Sequence, residues 1–202
     1  MSAPLRLIHA EQIQPQPWRN GGGRTRELLA WPSAQDWALR ISLADIEAGG
    51  PFSAFAGVQR WFAVITGAGV ALTFADGERR LVPGDAPLCF DGAAAPGCRL
   101  LDGATCDLNL MLRRGRGVMR RAKQGVVWNE AFAMRGLFAA AAGHWSGGRE
   151  CRALPAKTLL WADSADAGDG ADWRFEPDTP HATAQAWWLG YTPEEAIRCP
   201  TR

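Results

Sequence analysis

Residues 70–82 read VALTFADGERRLV and contain the clearest structural signal of the chain. An Asp-Gly pair, Asp76 and Gly77, lies between two short apolar runs, Val70–Phe74 and Arg79–Val82. Asp-Gly favours the tight turn that joins antiparallel strands, because both residues tolerate a left-handed backbone. The stretch therefore predicts a β-hairpin.

Short apolar runs separated by turn residues continue outward from this hairpin, and no sustained helical stripe occurs before residue 120. Further strands are predicted at Leu5–Ile8, Arg24–Ala30, Trp37–Ile46, Trp61–Thr66, Leu88–Phe90, Arg99–Leu101 and Cys106–Leu112. Weaker patterns in the second half predict strands at Val126–Trp128, Leu137–Ala141, Lys157–Trp161, Trp173–Phe175 and Ala184–Leu189, a loop at 163–172 and a helical turn at Thr192–Ile197. Many short strands at regular spacing favour an all-β sandwich, jelly roll or barrel.

Length and composition exclude several classes of protein. The 202 residues suit one large domain or two small, intimately packed ones, and no long polar linker divides them. A net charge of +1 indicates neither a nucleic acid nor an anionic membrane as partner. The sequence lacks an 18-residue apolar run and a signal-peptide core, so a cytoplasmic location is expected. Five cysteines without a C-x-x-C pair argue against both a disulfide framework and a zinc knuckle.

Three consecutive glycines lie in the stretch WRNGGGRTRE at residues 18–27. Such a run indicates positive φ values or a close backbone approach. A nucleotide-binding loop would lead into a helix with a different glycine spacing, whereas these glycines lead into a predicted strand. A wide turn or bulge and a ligand-contacting loop are the two interpretations left open.

Two predicted strands combine an apolar face with an unusual polar face. Alternation places Arg40, Ser42 and Ala44 opposite the aliphatic residues of one strand. In the other strand, the face opposite the leucines carries Asp107, Asn109, Met111 and Arg113. Small and amide side chains beside Arg and Asp indicate a partly enclosed pocket for an anionic or amide-bearing molecule. A structural Asp–Arg pair beside a satisfied buried Asn is the alternative.

Four motifs in this order resemble the HutD/Ves family. They are WRNGGGRTRE at 18–27, RISLA at 40–44, GPFSAFAG at 50–57 and DLNLMLRRG at 107–115, with Arg60 before the last. The family shows W-x-N-G-G-G-x-T-x-E, R-x-S-x-A, G-P-F-S-x-F-x-G and D-x-N-x-M-x-R-R-G. The resemblance covers residues 18 to 115 and is diffuse beyond them.

This resemblance implies an all-β, cupin-like (RmlC-like) fold, a jelly roll in a double-barrel or bicupin arrangement. One compact unit would span residues 1–202, with a first cupin half at about 1–115 and a second at about 116–202. It also implies a regulatory, intermediate-sensing accessory of bacterial histidine utilisation. Suggested ligands are pathway acids such as N-formylglutamate or urocanate.

Neither a metal nor another cofactor is expected. Metal-binding cupins cluster several imidazoles with a carboxylate, whereas His9, His144 and His181 are far apart in the sequence. His144 is predicted in a turn and His181 in a loop. The candidate bases are Asp107 and Glu27, and neighbouring arginines are expected to lower their pKa values, which suits binding better than proton abstraction.

An arginine-rich run at residues 113–123 resembles phosphate-tracking segments. No aromatic residue is interleaved, so we interpret it as a strand with a solvated outer face and do not expect nucleic-acid binding. Only Arg113 is placed inward, with Asp107 and Asn109.

The candidate ligand-binding residues are Trp18, Asn20, Arg40, Ser42, Phe52, Arg60, Asp107, Asn109 and Arg113. Arg40 and Arg113 are expected to bind a carboxylate, the two asparagines to offer amide hydrogen bonds, and the two aromatic residues to form apolar walls. Asp107 would orient Arg113 or accept a hydrogen bond from the ligand. We therefore expect a protein that binds a small carboxylated or amide-bearing metabolite without transforming it, with no membrane partner and with a homodimer left open.

Two alternatives have different consequences. A metal-free isomerase or lyase would use Asp107 or Glu27 as its base and would turn over a small acid or sugar. A protein-interaction accessory with a vestigial pocket would expose an apolar patch, for example at Trp187 and Trp188.

Overall fold

The computed structural model describes residues 5–163, 172–179 and 186–194. These residues form eighteen β-strands and two short 3-10 helices, Ala10–Gln12 and Gly92–Ala94. In chain order the strands are β1 Leu5–His9, β2 Gln16–Pro17, β3 Gly23–Trp31, β4 Leu39–Ile46, β5 Gly50–Pro51, β6 Gln59–Thr66, β7 Val70–Phe74, β8 Gly77–Leu81, β9 Leu88–Asp91, β10 Gly97–Leu100, β11 Thr105–Leu112, β12 Arg116–Arg121, β13 Met134–Ala139, β14 Gly143–Gly147, β15 Glu150–Leu154, β16 Thr158–Ala162, β17 Trp173–Pro177 and β18 Ala186–Thr192. The all-β prediction is confirmed.

The chain divides into two compact units. The central unit comprises residues 13–113, and the flanking unit comprises the residues up to 12 together with those from 114 onward. Strand β1 lies in the flanking unit because all five of its residues pair with β16.

The central unit contains two antiparallel sheets. One sheet has the order β2-β3-β4-β11-β6-β9 and the other the order β5-β10-β7-β8. Inward side chains from both sheets share one apolar core, formed by Ala44, Ile46, Phe52, Phe62, Val64, Val70, Leu72, Leu81 and Cys98. The hairpin predicted from the Asp-Gly pair is present, since β7 and β8 pair up to Phe74 opposite Gly77.

The flanking unit has a five-stranded sheet, β1-β16-β13-β18-β12, and a three-stranded sheet, β15-β14-β17. Its core is rich in indole rings, with Trp128, Trp145, Trp173 and Trp188 in one buried cluster. Arg135, the second residue of β13, enters this cluster and is only 5% exposed. Its guanidinium lies 4.5 Å from the ring centroids of both Trp128 and Trp173, and Nη2 donates to the Trp128 carbonyl oxygen at 2.6 Å. Burial lowers the pKa of Arg135 to about 10, so the side chain remains charged at neutral pH.

The turn predicted around His144 is wrong, because residues 143–147 form strand β14. Its glycines resemble turn signals, but they make room for aromatic rings instead: a β-carbon on Gly143 would overlap the Phe175 ring, and one on Gly147 would overlap the Trp145 ring. His144 lies on the exposed face of this strand, with Nδ1 3.2 Å from an Asp178 carboxylate oxygen. The strand predicted at Val126–Trp128 is reduced to a single bridge between Trp128 and Trp173.

The exposed apolar patch suggested at Trp187 and Trp188 is absent, because both residues lie in strand β18. Both side chains are buried, at 0% and 3% exposure, because β18 is an interior strand of the five-stranded sheet. Large apolar side chains with substantial exposure within the described residues are limited to Leu7 and Val126. The arginine-rich run forms β12, as predicted, and Arg120 forms an ion pair with Glu130.

Several predictions concern residues that the structure does not describe. His181 and most of the loop predicted at 163–172 lie outside the described residues. The second half of the helical turn predicted at Thr192–Ile197 lies outside them as well, and Thr192 closes β18. No helix within the described ranges is both long and apolar enough to cross a membrane.

Candidate functional site

The inward face of β11 brings together the polar residues of the central unit. Strand β11 lies between β4 and β6, so each inward residue of β11 has one neighbour on each side. Asn109 is opposite Ser42 on β4 and Phe62 on β6, and Met111, two residues further along, is opposite Arg40 and Arg60. Residues paired in this way point to the same face of a sheet. The alternation predicted for β4 and β11 is therefore confirmed.

Arg60 is the most distinctive member of this face. Its Nε and Nη2 atoms donate to Oδ1 of Asn109 at 3.0 and 2.7 Å. The guanidinium carbon lies 4.3 Å from the ring centroid of Phe52, 5.6 Å from that of Phe90 and 5.9 Å from that of Phe62. Burial lowers the pKa of Arg60 to about 10, although the negative charge of Asp107 opposes this shift. Arg60 is thus a half-buried cation in an aromatic surround.

The contacts of Arg60 leave part of its guanidinium without a protein acceptor. Its hydrogen-bond partner, Asn109, is a neutral amide, and within the described residues the Nη1 atom of Arg60 donates to no acceptor. The neutral amide of Asn109 does not cancel the positive charge of Arg60. Because Nη1 is unoccupied, the edge formed by Nη1 and Nη2 can still donate two hydrogen bonds to a carboxylate. This edge can bind an anion.

Asp107 is completely buried on the same face, opposite Ala44 and Val64. Its Oδ2 atom accepts a hydrogen bond from Oγ1 of Thr105 at 2.7 Å. Burial raises the pKa of Asp107 to about 7, whereas the Thr105 hydrogen bond and the charge of Arg60 act in the opposite direction. The expectation that nearby arginines lower this pKa is wrong, because desolvation outweighs a cation that forms no ion pair with the carboxylate.

Arg40 has a different environment from Arg60. Its Nε atom lies 2.8 Å from Oε2 of Glu27, with which it forms an ion pair, and both side chains are about a quarter exposed. The protein itself therefore supplies a carboxylate to Arg40. Glu27 is one of the two candidate bases named from the sequence, and in the structure its carboxylate is paired with Arg40.

Arg113 does not lie with Asp107 and Asn109, contrary to the prediction. Strand β11 ends at Leu112, and the Arg113 N–H continues its pairing with a hydrogen bond to the Ala38 carbonyl oxygen at 2.8 Å, so Arg113 lies beyond Met111 at the far end of the strand from Asp107. The side chain is exposed, and its guanidinium lies 4.3 Å from the centroid of a Trp37 ring. It is therefore not placed to be oriented by Asp107.

The glycine-rich stretch forms the turn between β2 and β3. The Asn20 side chain accepts a hydrogen bond from the Gly22 N–H at 3.1 Å, and Trp18 donates from Nε1 to Oγ1 of Thr25 at 2.7 Å. A β-carbon on Gly23 would overlap the carbonyl oxygen of Asp45 on the neighbouring strand. Asn20 and Trp18 are thus used within the turn, and the close approach expected of the glycines occurs between two strands.

Six of the nine predicted residues therefore lie in or against the interior of the central unit: Trp18, Ser42, Phe52, Arg60, Asp107 and Asn109. Sequence reasoning missed Thr105, which holds Asp107, and Phe62 and Phe90, which flank Arg60. Thr105 could have been found from its spacing, because it lies two residues before Asp107 on the same face.

A groove lies at the edge of this site, on the side of β9. This open groove of about 450 Å³ lies along the start of β6 and the end of β9, where it is lined by residues 57–59 and 89–91. Phe90 is shared between this groove and the surround of Arg60. Across the described part of the chain, no three His, Cys, Asp or Glu side chains form a cluster suited to a metal ion.

Comparison with known proteins places the chain in a family. The HutD family model matches residues 10–177. An uncharacterised 21.2 kDa protein in the hutC 3′ region of Pseudomonas putida is 41% identical over 111 residues, which span 53% of this chain and 57% of that protein. Protein Ves of Citrobacter koseri is 29% identical over 188 residues, 88% of this chain and 92% of Ves. The structure of HutD from Pseudomonas fluorescens SBW25 (formate condition) superposes with a TM-score of 0.79 at 28% identity and covers 94% of this chain and 99% of that one. The chain therefore belongs to the HutD family.

Proposed function

We propose that this protein is a non-catalytic, cupin-like binder of a small carboxylate and serves as a regulatory accessory of histidine utilisation. The observation that carries the proposal is the half-buried Arg60, held by a neutral amide and surrounded by phenylalanine rings. A desolvated guanidinium with an unused donor edge attracts a carboxylate more strongly than a solvated one, because the local dielectric is lower.

The other arginines of this sheet support the choice of Arg60. Arg40 is paired with Glu27, and Arg24 and Arg26 are both paired with Asp45. A ligand carboxylate at any of these would have to displace a protein carboxylate, whereas at Arg60 it would complete the coordination of the cation. Arg60 is therefore proposed as the primary contact.

The proposed ligand is a carboxylated pathway intermediate, N-formylglutamate or urocanate. Support comes from the family relationship and from the formate condition of the related Pseudomonas fluorescens HutD structure, since formate is the smallest carboxylate. Both candidates carry the carboxylate that Arg60 would bind.

Binding without turnover is favoured by the residues available in the central unit. Residues 13–113 contain no His, Lys or Tyr, so the usual proton donors and acceptors of metal-free isomerases are missing from this part of the sequence. The observation that favours the catalytic alternative is Asp107, because a carboxyl group with a pKa near 7 is suited to general base catalysis. A metal-free isomerase or lyase therefore stands as the second candidate.

Isothermal titration of the purified protein with formate, glutamate, N-formylglutamate and urocanate tests the proposal. We expect saturable binding of at least one acid, and a loss of affinity of roughly 10- to 100-fold in Arg60→Ala, as for removal of a charge-assisted hydrogen-bonded pair. Arg99→Ala is the matched control, because Arg99 is exposed and pairs only with Glu78.

Two results would count against this function. If wild type and a folded Arg60→Ala variant bind the acids with equal affinity, Arg60 does not contact the ligand. Formation of product in the same samples, abolished by Asp107→Asn, would establish the catalytic alternative instead.

A further inference from the structure

One oxygen atom of Asp107 lacks the hydrogen bond that a buried carboxylate needs. The side chain has no exposure to solvent, and only Oδ2 is bonded, to Thr105. Within the described residues, Oδ1 accepts no hydrogen bond and no basic side chain forms an ion pair with the carboxylate. Buried polar atoms are paired in most proteins, so an unpaired carboxylate oxygen calls for a donor from elsewhere.

The described neighbours of Asp107 do not supply that donor. Its partners across the two adjacent strands are Ala44 and Val64, whose side chains carry no polar atom. The oxygen atom of the next inward residue, Asn109, accepts both hydrogen bonds from Arg60, and its amide nitrogen does not donate to Oδ1 of Asp107. Ala44 and Val64 thus flank Asp107, whose unpaired Oδ1 atom lies on the same face of the sheet as Arg60.

The interior therefore presents two complementary groups on one sheet face. Arg60 offers an unused donor edge, and Asp107 offers an unused acceptor. A plain carboxylate can satisfy only the first group. A carboxylate that also carries an N–H or O–H group can satisfy both, and the carboxylate of Asp107 would repel an acid that offers no donor there.

We propose that Asp107 is a specificity-determining residue that accepts a hydrogen bond from the ligand, so that the site selects carboxylates bearing an N–H or O–H donor over carboxylates without one. This inference rests on the proposed function, because the ligand is anchored by Arg60. It excludes simple fatty acids and formate as the preferred ligands and admits N-acylated amino acids, hydroxy acids and acids with a protonated ring nitrogen.

The charge state of Asp107 is consistent with this role. The groups that act on it are Arg60 from β6, Asp45 from β4, Cys98 from β10 and Thr105 from its own strand. Burial raises the pKa of Cys98 to about 11, so this thiol is neutral and adds no charge at neutral pH. A donor from the ligand would stabilise the charged form of Asp107 as the Thr105 hydroxyl already does at the other oxygen.

The experiment compares two ligands that differ at one nitrogen atom, which carries a hydrogen in one ligand and a methyl group in the other. N-formylglutamate has one amide N–H, and its N-methyl derivative retains both carboxylates and the formyl oxygen but has no N–H. Titration calorimetry at pH 8 should show at least tenfold weaker binding of the N-methyl derivative to the wild type, because a site built for a donor rejects the analogue that lacks it. In Asp107→Ala the two ligands should bind with affinities within about threefold of each other, and formate should bind as tightly as to the wild type or more tightly.

The possible results separate this inference from the proposed function. If N-methylation weakens binding equally in wild type and Asp107→Ala while Arg60→Ala still abolishes binding, the carboxylate-binding function stands and the role of Asp107 is refuted. If no acid binds to the folded wild type, both are refuted. Should Asp107→Ala fail to fold, Asp107→Asn keeps the shape of the side chain, and an undiminished preference for the N–H ligand in that variant would overturn the role of the charged acceptor.

Discussion

Replacing Asp107 by asparagine is expected to stabilise the central unit at alkaline pH and to remove one pH dependence of its unfolding. The carboxyl group has an ordinary pKa of 3.8, and burial raises it to about 7 in the folded state. The native protein therefore binds more protons than the unfolded chain between about pH 4 and pH 7, and its stability falls as the pH rises through this range. Below about pH 4 both states are protonated, and the penalty disappears.

The magnitude follows from the two pKa values. The penalty for burying Asp107 grows from roughly 2 kcal/mol at pH 5 to roughly 4 kcal/mol at pH 8. The asparagine amide introduces its own cost for a buried unpaired N–H, but this cost does not depend on pH. The difference in the free energy of unfolding between Asp107→Asn and wild type should therefore shift by about 2 kcal/mol or more in favour of the variant between pH 5 and pH 8.

Urea denaturation followed by circular dichroism at pH 5, 6, 7 and 8 measures this difference directly. Asp76→Asn is the control, because Asp76 is an exposed turn residue whose replacement retains a turn-forming Asn-Gly pair. The reasoning is refuted if the difference between Asp107→Asn and wild type stays constant within about 0.5 kcal/mol from pH 5 to pH 8, since desolvation then does not govern this carboxyl group.

Three further outcomes follow from the same structure. Thr105→Val should lower the free energy of unfolding by about 2 kcal/mol at pH 8 and by less at pH 5, because its hydroxyl stabilises the charged form of Asp107 more than the neutral form; equal losses at the two pH values would contradict this. Gly23→Ala should cost about 2 kcal/mol or more in chemical denaturation, since the added carbon overlaps a main-chain oxygen of β4. Iodoacetamide at pH 8 should alkylate the exposed Cys151 much faster than the buried Cys98, as read by peptide mass spectrometry, and comparable rates would show that the core of the central unit opens readily.

The Gly97→Ala variant is the control for the Gly23→Ala prediction. Gly97 has an ordinary backbone conformation in β10, and a β-carbon there meets its nearest neighbour at 3.9 Å. Gly97→Ala should therefore leave stability within about 0.5 kcal/mol of wild type or raise it slightly. A loss in Gly97→Ala as large as that in Gly23→Ala would show that glycine content alone, and not the approach of β3 to β4, is responsible.

Alternation along single strands was the most reliable information in the sequence. It correctly placed Ser42, Asp107 and Asn109 on one inward face, because the side-chain period of a strand is fixed by backbone geometry. The same rule does not tell how far the enclosed part of the face extends, and Arg113, one residue beyond the end of β11, is exposed. The end of a strand depends on its partners, which a single sequence does not reveal.

Glycine and tryptophan residues were harder to interpret because their roles depend on what packs against them. Gly143 and Gly147 have the composition of a turn and lie instead in β14, where aromatic rings occupy the space of the missing side chains. Trp187 and Trp188 were compatible with an exposed patch until the pairing of β18 on both edges was known. Packing between distant segments decides both cases.

The pKa of Asp107 shows why site chemistry could not be derived from neighbouring residue types. The sequence places arginines near this carboxyl group, but it does not give the distance between the charges or the loss of water around them. In the structure the carboxylate is fully buried and unpaired with any described basic side chain, so the cost of desolvation dominates.

The two interior arginines differ in what a single substitution can change. Arg60 is held through the side chain of Asn109, so replacement of that one amide would free or redirect the guanidinium. Arg135 is held by the main-chain carbonyl of Trp128, which every residue type at that position would still provide. Under the proposed function, a substitution at position 109 would change ligand preference with the strands left intact, whereas no substitution at position 128 removes the carbonyl group that holds Arg135.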